Sequence, residues 1–297
     1  MRKFLLVLPL LLLLANAYAV ATHPNDDRSP NMSHKSNYDD AGNYGEGSDL
    51  AFWGKRAVAG NFGSPGGFRL MSIAEGRAPQ EIGQFECPGS QADVSIWKDL
   101  VFVSVDAPRT GPECGAPAAN NAQILLGQGW EGLRVVSISD PANPEQIAFV
   151  RTDCGSHTHT LLPDLGRADP RLLIYVSSYP LTGHHARHEE ERECGTEPPL
   201  HQKISVVEVE LDDPASAQVI NEPFVGPSTI GCHDITVFMP KQLAAAACIT
   251  ESQIWDISDP VNPEIISRIP EDRVNIHHST AWSWDANTVI IGDELGG

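Results

Sequence analysis

The chain has 297 residues, of which 41% are hydrophobic, and a formal net charge of −19. Such an acidic chain repels phosphate backbones and anionic lipid surfaces, which argues against nucleic acid as a partner. The charge is typical of a protein that stays soluble outside the cell.

Residues 1–19 have the pattern of a secretory signal peptide. Arg2 and Lys3 precede an apolar run over 4–14, and small residues follow it at a plausible cleavage point. This run is shorter than the about 20 residues of a membrane span, although an uncleaved signal anchor is the alternative. We therefore expect a secreted chain with no transmembrane segment after cleavage. Residues 20–47 are polar and predict a disordered linker.

One strand-and-turn pattern recurs along the chain. Residues 133–144 and 253–263 each combine an alternating apolar strand with a turn that contains two prolines, and a further short strand follows. Two weaker copies lie at 68–85 and 205–220. Period-2 strands broken by Asp-Pro and Asn-Pro turns predict antiparallel β-structure.

A second pair of strands precedes each copy. Residues 49–60 align without a gap to 93–104, and further copies begin near three histidines, at 159, 233 and 278. Each unit then has four short strands, which is the signature of a propeller blade. We predict an all-β fold over 48–297, a β-propeller of four-stranded antiparallel blades with about four and a half blades present. A sandwich or a solenoid is the alternative.

The Asp-Pro-x-Asn-Pro turn that follows a Val-Val-x-Ile strand resembles the LVIVD repeat. Similarity to secreted bacterial members of that family is carried by residues 231–235, 246–248, 255–260 and 278–293. The first copy departs from the pattern, because Glu75 and Gly76 stand where Asp-Pro is expected. The resemblance covers residues 48–297 and implies a β-propeller that is often exported. It implies no particular reaction.

The fifth unit stops after its second strand, at residues 289–293. A propeller closes on itself, usually with about 4 to 8 blades, because an open edge strand is a pairing hazard. We therefore expect a fragment, incomplete at its C-terminus, that lacks half a blade and up to two more. A closed ring in which both ends complete one blade is the alternative.

Histidines and acids are predicted to meet at the mouth of the central channel. His159, His233 and His278 occupy the same slot, at the entry of the innermost strand, in three blades. Because innermost strands converge on the axis, these rings offer a site for zinc, copper or iron. Glu251 and Asp293 align at the exit of the second strand, where a carboxylate can ligate a metal or orient a ring.

Two enlarged loops, at about 107–128 and 179–202, are predicted to form a rim over the same face. The second loop holds a further candidate metal cluster, His184, His185, His188 and the acidic run 189–191. A solvated loop is the alternative for this cluster. For the histidines of the inner strands, the alternative is a structural role, in which each ring bonds backbone carbonyls or pairs with Asp234.

The chain contains six cysteines, and an even number favours disulfides in an exported protein. In three consecutive blades, one cysteine lies near the entry of the first strand and another lies in or after the second strand. We therefore predict the pairs Cys87–Cys114, Cys154–Cys194 and Cys232–Cys248.

The sequence contains no nucleophile elbow, no phosphate-binding loop and no His-Glu-x-x-His motif. It therefore favours an extracellular binding or interaction scaffold that uses the channel mouth, with an unknown protein, glycan or small molecule as its partner. The alternative is a metal-dependent enzyme, a hydrolase, lactonase-like enzyme or oxidase, whose His/Glu site holds a divalent or transition metal ion. A purely structural surface protein is a third hypothesis.

Overall fold

A computed structural model describes residues 46–74, 77–125, 127–180 and 201–296. The predicted signal peptide, nearly all of the predicted linker, Cys194 and the histidines of the second enlarged loop lie outside these ranges. The weak first turn at Glu75 and Gly76 also lies outside them.

Within these ranges, the strands form four antiparallel sheets of four strands and one sheet of two strands. Each sheet is built from strands in chain order, so each is one consecutive stretch of sequence. We call the sheets blades 1 to 4 and the half-blade. Blade 1 contains β1 (Gly47–Trp53), β2 (Arg56–Asn61), β3 (Phe68–Ser72) and β4 (Gln80–Phe85), and blade 2 contains β5 (Val94–Trp97), β6 (Leu100–Arg109), β7 (Trp130–Ser137) and β8 (Glu145–Arg151). Blade 3 contains β9 (Thr158–Asp164), β10 (Arg171–Ser177), β11 (Ser205–Glu210) and β12 (Gln218–Asn221), and blade 4 contains β13 (Asp234–Phe238), β14 (Leu243–Cys248), β15 (Glu251–Asp256) and β16 (Glu264–Ile269). The half-blade contains β17 (His277–Trp282) and β18 (Val289–Asp293).

The predicted β-propeller of four-stranded blades is confirmed, with about four and a half blades present. The blades share a detail that the sequence did not reveal. In each complete blade the third and fourth strands shift register by a bulge at a matching place, which lies between Leu70 and Met71, Val135 and Val136, Val206 and Val207, or Ile254 and Trp255. A bulge increases the local twist of a strand pair, so this shared shift is a feature of the outer half of each complete blade.

The recurring turns have a common hydrogen-bond pattern. In blade 2, the carboxylate of Asp140 accepts from the backbone N–H of Ala142 at 3.1 Å and from Asn143 Nδ2 at 2.7 Å. In blade 4, Asp259 accepts from the residues at the same two offsets, at 3.1 and 2.9 Å. Asp favours turns because its side chain can cap backbone N–H groups two residues on.

Side-chain hydroxyl groups link the innermost strand of one blade to the next. The hydroxyl donors and carbonyl acceptors are Ser48 and Ala92 (2.7 Å), Thr158 and His233 (2.6 Å), and Thr236 and Thr280 (2.6 Å). Between blades 2 and 3, Ser95 Oγ lies 2.6 Å from His159 Nε2. The first strands of consecutive units are therefore neighbours, which brings the starts of these strands together.

Buried hydrophobic side chains pack in three clusters, between blades 1 and 2, 2 and 3, and 3 and 4. In the last of these clusters Tyr175 lies against Trp255, with ring centroids 6.3 Å apart. The Tyr175 hydroxyl donates to the carbonyl of Pro260 at 2.7 Å. This bond ties the core of blade 3 to the recurring turn of blade 4.

Two of the predicted disulfides, Cys87–Cys114 and Cys232–Cys248, are present. Cys87–Cys114 attaches the enlarged loop between β6 and β7 to the end of blade 1, and this loop also contains the short helix α1 (Asn121–Leu125). The third predicted pair includes Cys194 and stays a prediction. Within the described residues, no helix combines the length and apolarity that crossing a bilayer requires.

Candidate metal centre at the channel mouth

The starts of the innermost strands enclose a polar cavity of about 320 Å³. Every blade and the half-blade contribute to its lining, with Asp49, Asp93, His159, His233 and His278 as one residue from each. The structure therefore brings the three histidines of the shared sequence slot to one cavity. The three histidines differ, however, in the side chains that they contact.

Within the described residues, His233, His278 and Glu294 form a group of three side chains that could hold a metal ion. One possible ligand atom from each side chain lies within 4.8 Å of the other two. His233 immediately precedes β13, His278 lies at the start of β17, and Glu294 immediately follows β18. The centroids of the two imidazole rings are 3.9 Å apart. Two imidazoles and one carboxylate are a ligand set that zinc uses in catalytic sites.

A hydrogen-bonded chain of side chains leads into this group from blade 2. Asp106, at 2% exposure, has its Oδ2 atom 2.8 Å from His157 Nδ1. His157 Nε2 lies 2.9 Å from His233 Nε2. The ring of Tyr179 packs against both histidines, with centroid distances of 5.1 Å to His157 and 5.6 Å to His233. The His233 ring is thus held in place by contacts on several sides.

His233 is strongly biased towards its neutral form. It is 4% exposed, and burial together with repulsion from His157 and His278 lowers its pKa to about 3. The backbone of His278 acts to raise this pKa, but it does not outweigh burial and repulsion. Nδ1 of His233 has no hydrogen-bond partner of good geometry among the described residues. A neutral imidazole with a free ring nitrogen is the form that binds a metal ion.

His159 has both ring nitrogens engaged. Its side chain is 0% exposed. Nδ1 lies 2.9 Å from an oxygen of Asp93 and 2.9 Å from Ser104 Oγ, while Nε2 lies 2.6 Å from Ser95 Oγ. The backbone N–H of His159 also donates to Asp93 at 2.9 Å. His159 therefore lines the cavity as a structural link between blades 2 and 3.

Glu251 and Asp293, the two predicted acidic ligands, lie outside the group of three. Glu251 is buried at the start of β15, where it accepts from Arg268 and, at 2.6 Å, from Gln253 Nε2. Asp293 accepts from three backbone N–H groups that precede β17 or follow β18, and these bonds lower its pKa. The acid that reaches the histidines is Glu294, the next residue in the chain.

The three aspartates that line the cavity, Asp49, Asp93 and Asp234, interact through their charges. Burial and the charge of Asp93 raise the pKa of Asp49 to about 6. Burial would also raise the pKa of Asp93, but the charge and hydrogen bonds of His159 hold it below its usual value. The pKa of Asp234 is raised, chiefly by burial. Asp49 and Asp234 therefore hold a proton more readily than isolated carboxyl groups would, whereas Asp93 loses its proton more readily.

Sequence reasoning missed Asp106 and the ligand role that geometry suggests for Glu294. Both residues follow the repeating part of the second strand in their units, which is the exit where acids were expected. The alignment of Glu251 with Asp293 concealed them, because loops of different length follow this strand. The histidines of the second enlarged loop lie outside the described residues.

No protein-family model matches the sequence, and no curated protein matches it. Solved structures do resemble the fold. A hypothetical selenium-binding protein from Sulfolobus tokodaii aligns at a TM-score of 0.53 and 12% identity, over 85% of this chain and 58% of that one. The WD40 β-propeller domain of Doa1 aligns at 0.49 and 9%, over 85% and 63%, and a periplasmic gluconolactonase of Pseudomonas aeruginosa at 0.44 and 12%, over 83% and 78%.

Identities this low concern the fold and not the activity. The chain spans less than two thirds of the Sulfolobus protein and of the Doa1 domain. The likeness to the Sulfolobus structure therefore agrees with the blade architecture described above, and the chemistry of the channel mouth has to be argued from this chain's own residues.

Proposed function

We propose that the channel mouth binds a divalent transition metal ion through His233, His278 and Glu294, and that the chain is a metal-dependent enzyme of the hydrolase type. The observation that carries this proposal is the grouping of the three ligand atoms within 4.8 Å, next to a polar cavity. Three protein ligands leave coordination positions open, which is the pattern of catalytic rather than structural zinc sites. A bound ion of this kind lowers the pKa of a water molecule.

The cavity supplies the second part of the proposal. Its lining provides hydroxyl, amide and carboxyl groups, and the carboxyl group of Asp49 retains a proton more readily than usual. An uncharged polar substrate is expected to fit better than an anion, because three aspartates contribute to the lining. The Asp49 carboxyl group is a candidate proton donor for such a substrate.

Export and family membership belong to the same proposal. We infer that the chain is a secreted member of the LVIVD-repeat propellers, with residues 1–19 as signal peptide and 20–47 as linker. The recurring Asp-Pro turns support the family, and two disulfides support an oxidising compartment.

A binding scaffold without a metal ion is the second candidate function. The enlarged loop between β6 and β7 favours it, because this loop is fastened by Cys87–Cys114 and by two bonds from Arg109 to the Ala116 carbonyl, at 2.9 and 2.6 Å. A loop fixed on a rigid propeller is a suitable recognition surface.

Metal analysis of the full chain tests the proposal. We expect a stoichiometric ion after incubation with Zn²⁺ or Co²⁺, and a loss of affinity of about tenfold or more in His278→Gln and in Glu294→Gln. Glu264→Gln is the matched control, because Glu264 is an exposed acid at the start of β16. Absence of a stoichiometric ion, or full retention of the ion by a His233→Gln/His278→Gln double variant, would reject the metal centre and leave the scaffold.

A further inference from the structure

The carboxylate of Asp106 is used on both of its oxygens. Oδ1 accepts from the backbone N–H of Gln91 at 3.0 Å, and Oδ2 lies 2.8 Å from His157 Nδ1. Asp106 is buried on β6, and His157 is buried just before β9. An ionised carboxylate can only accept hydrogen bonds, so the proton between Asp106 and His157 resides on Nδ1 of His157.

When both histidines are neutral, which is the state that binds a metal ion, this arrangement sets the proton positions of the next ring. A neutral His157 with its proton on Nδ1 presents a lone pair at Nε2. That lone pair faces His233 Nε2 at 2.9 Å, so His233 donates its Nε2–H to His157. A neutral His233 then has no proton on Nδ1, which is the buried nitrogen without a hydrogen-bond partner in the described ranges.

We infer that Asp106 and His157 are positioning residues that select the tautomer of His233 and thereby direct its Nδ1 lone pair to the metal ion. This inference rests on the proposed function, since it assigns the ligand atom of the same centre. Metal-ligating histidines generally donate their second ring N–H to a neighbouring acceptor, which fixes the tautomer and the orientation of the ring. Here the acceptor is another histidine, and its own tautomer is set by a carboxylate.

The variant Asp106→Asn tests this relay with little change in shape. The carbonyl oxygen of the new amide is expected to stay on the Gln91 N–H, which places the amino group opposite His157 Nδ1. His157 then carries its proton on Nε2 and donates it to His233, which must hold its own proton on Nδ1. An Asp-to-Asn change that imposes the wrong histidine tautomer is known to disable the serine-protease triad.

We expect Asp106→Asn to lower the affinity for Zn²⁺ about 10- to 100-fold. Asp153→Asn is the control for loss of a charge, because Asp153 pairs with Lys203 instead, at 2.9 Å. The control should bind Zn²⁺ like the parent chain. Equal affinity in Asp106→Asn and the parent chain would overturn the relay.

Ring nitrogen NMR of the metal-free parent chain tests the tautomers directly and does not depend on any variant folding. The relay requires Nδ1–H on His157 and Nε2–H on His233. A proton on Nδ1 of His233 would overturn the relay, whatever the metal analysis shows. If the parent chain has these tautomers but binds no metal, the selection of the His233 tautomer by Asp106 and His157 stands, whereas the proposed metal centre and the role of the relay in metal binding fail.

Discussion

Replacing His159 by leucine is expected to destabilise the fold and leave metal binding intact, whereas replacing His278 by glutamine is expected to do the reverse. The two histidines occupy the same slot in their sequence units. They differ in their contacts, because His159 is bonded to Asp93, Ser104 and Ser95, whereas His278 contacts the ring of His233.

The magnitude for His159→Leu follows from the groups that the substitution leaves behind. Asp93 is buried and loses its bond to the ring, and two hydroxyl groups lose a partner. Leaving a buried charged acceptor without its partner costs about 3 kcal/mol. For a domain of this size such a loss lowers the melting temperature by about 6 to 12 °C. His278→Gln is expected to change the free energy of unfolding by about 0.5 kcal/mol or less.

Urea and thermal unfolding of the metal-free variants measure these effects, and calorimetry with Zn²⁺ measures affinity. His159→Leu should bind Zn²⁺ with the parent affinity once folded. The reasoning is refuted if His159→Leu is as stable as the parent chain but loses the metal ion, because His159 would then be a ligand and not a link between blades.

Two further substitutions test the contact between blades 3 and 4 and the carboxyl group of Asp49 in the cavity. Tyr175→Phe removes the bond to the part-buried turn carbonyl of Pro260 and should lower the free energy of unfolding by about 1 to 2 kcal/mol. The measurement is the shift of the urea midpoint, and no shift would contradict the link between blades 3 and 4. The pKa of Asp49 in the folded chain, about 6, exceeds its ordinary value of 3.8, so the folded state loses stability as the pH rises through this interval. Asp49→Asn should remove that loss and, after allowance for solvent screening, raise the free energy of unfolding by about 1 kcal/mol near neutral pH. This gain should shrink as the pH falls towards 3.8. A gain independent of pH would contradict the coupling to Asp93.

The strand pattern could be predicted from sequence because it depends on local properties. Alternating apolar residues and Asp-Pro turns recur at fixed spacing, and they mark the strands of each blade to within a few residues. The pair of strands predicted within 93–104, for example, corresponds to β5 and the first half of β6. The shared bulge between third and fourth strands was not predictable, because it depends on how two strands pair.

The candidate metal site was predictable only in part. His159, His233 and His278, which share one slot in the sequence units, all line one cavity. The shared slot could not show that serines and an aspartate of blade 2 surround only His159. It also could not show that Glu294, and not its neighbour Asp293, reaches the histidines, since loop geometry decides which of two adjacent acids does so.

The sequence by itself determined the export signal pattern, the repeated four-strand unit and the slots from which a channel site can be built, because these follow from composition and from neighbours along the chain. Only the tertiary structure decided the environment of each slot. Asp106 lies on blade 2, His157 just before blade 3 and His233 just before blade 4. Their hydrogen-bonded order arises because these neighbouring blades meet at the channel mouth. Residues that are equivalent in a repeat are therefore given different partners by the loops and side chains that surround them.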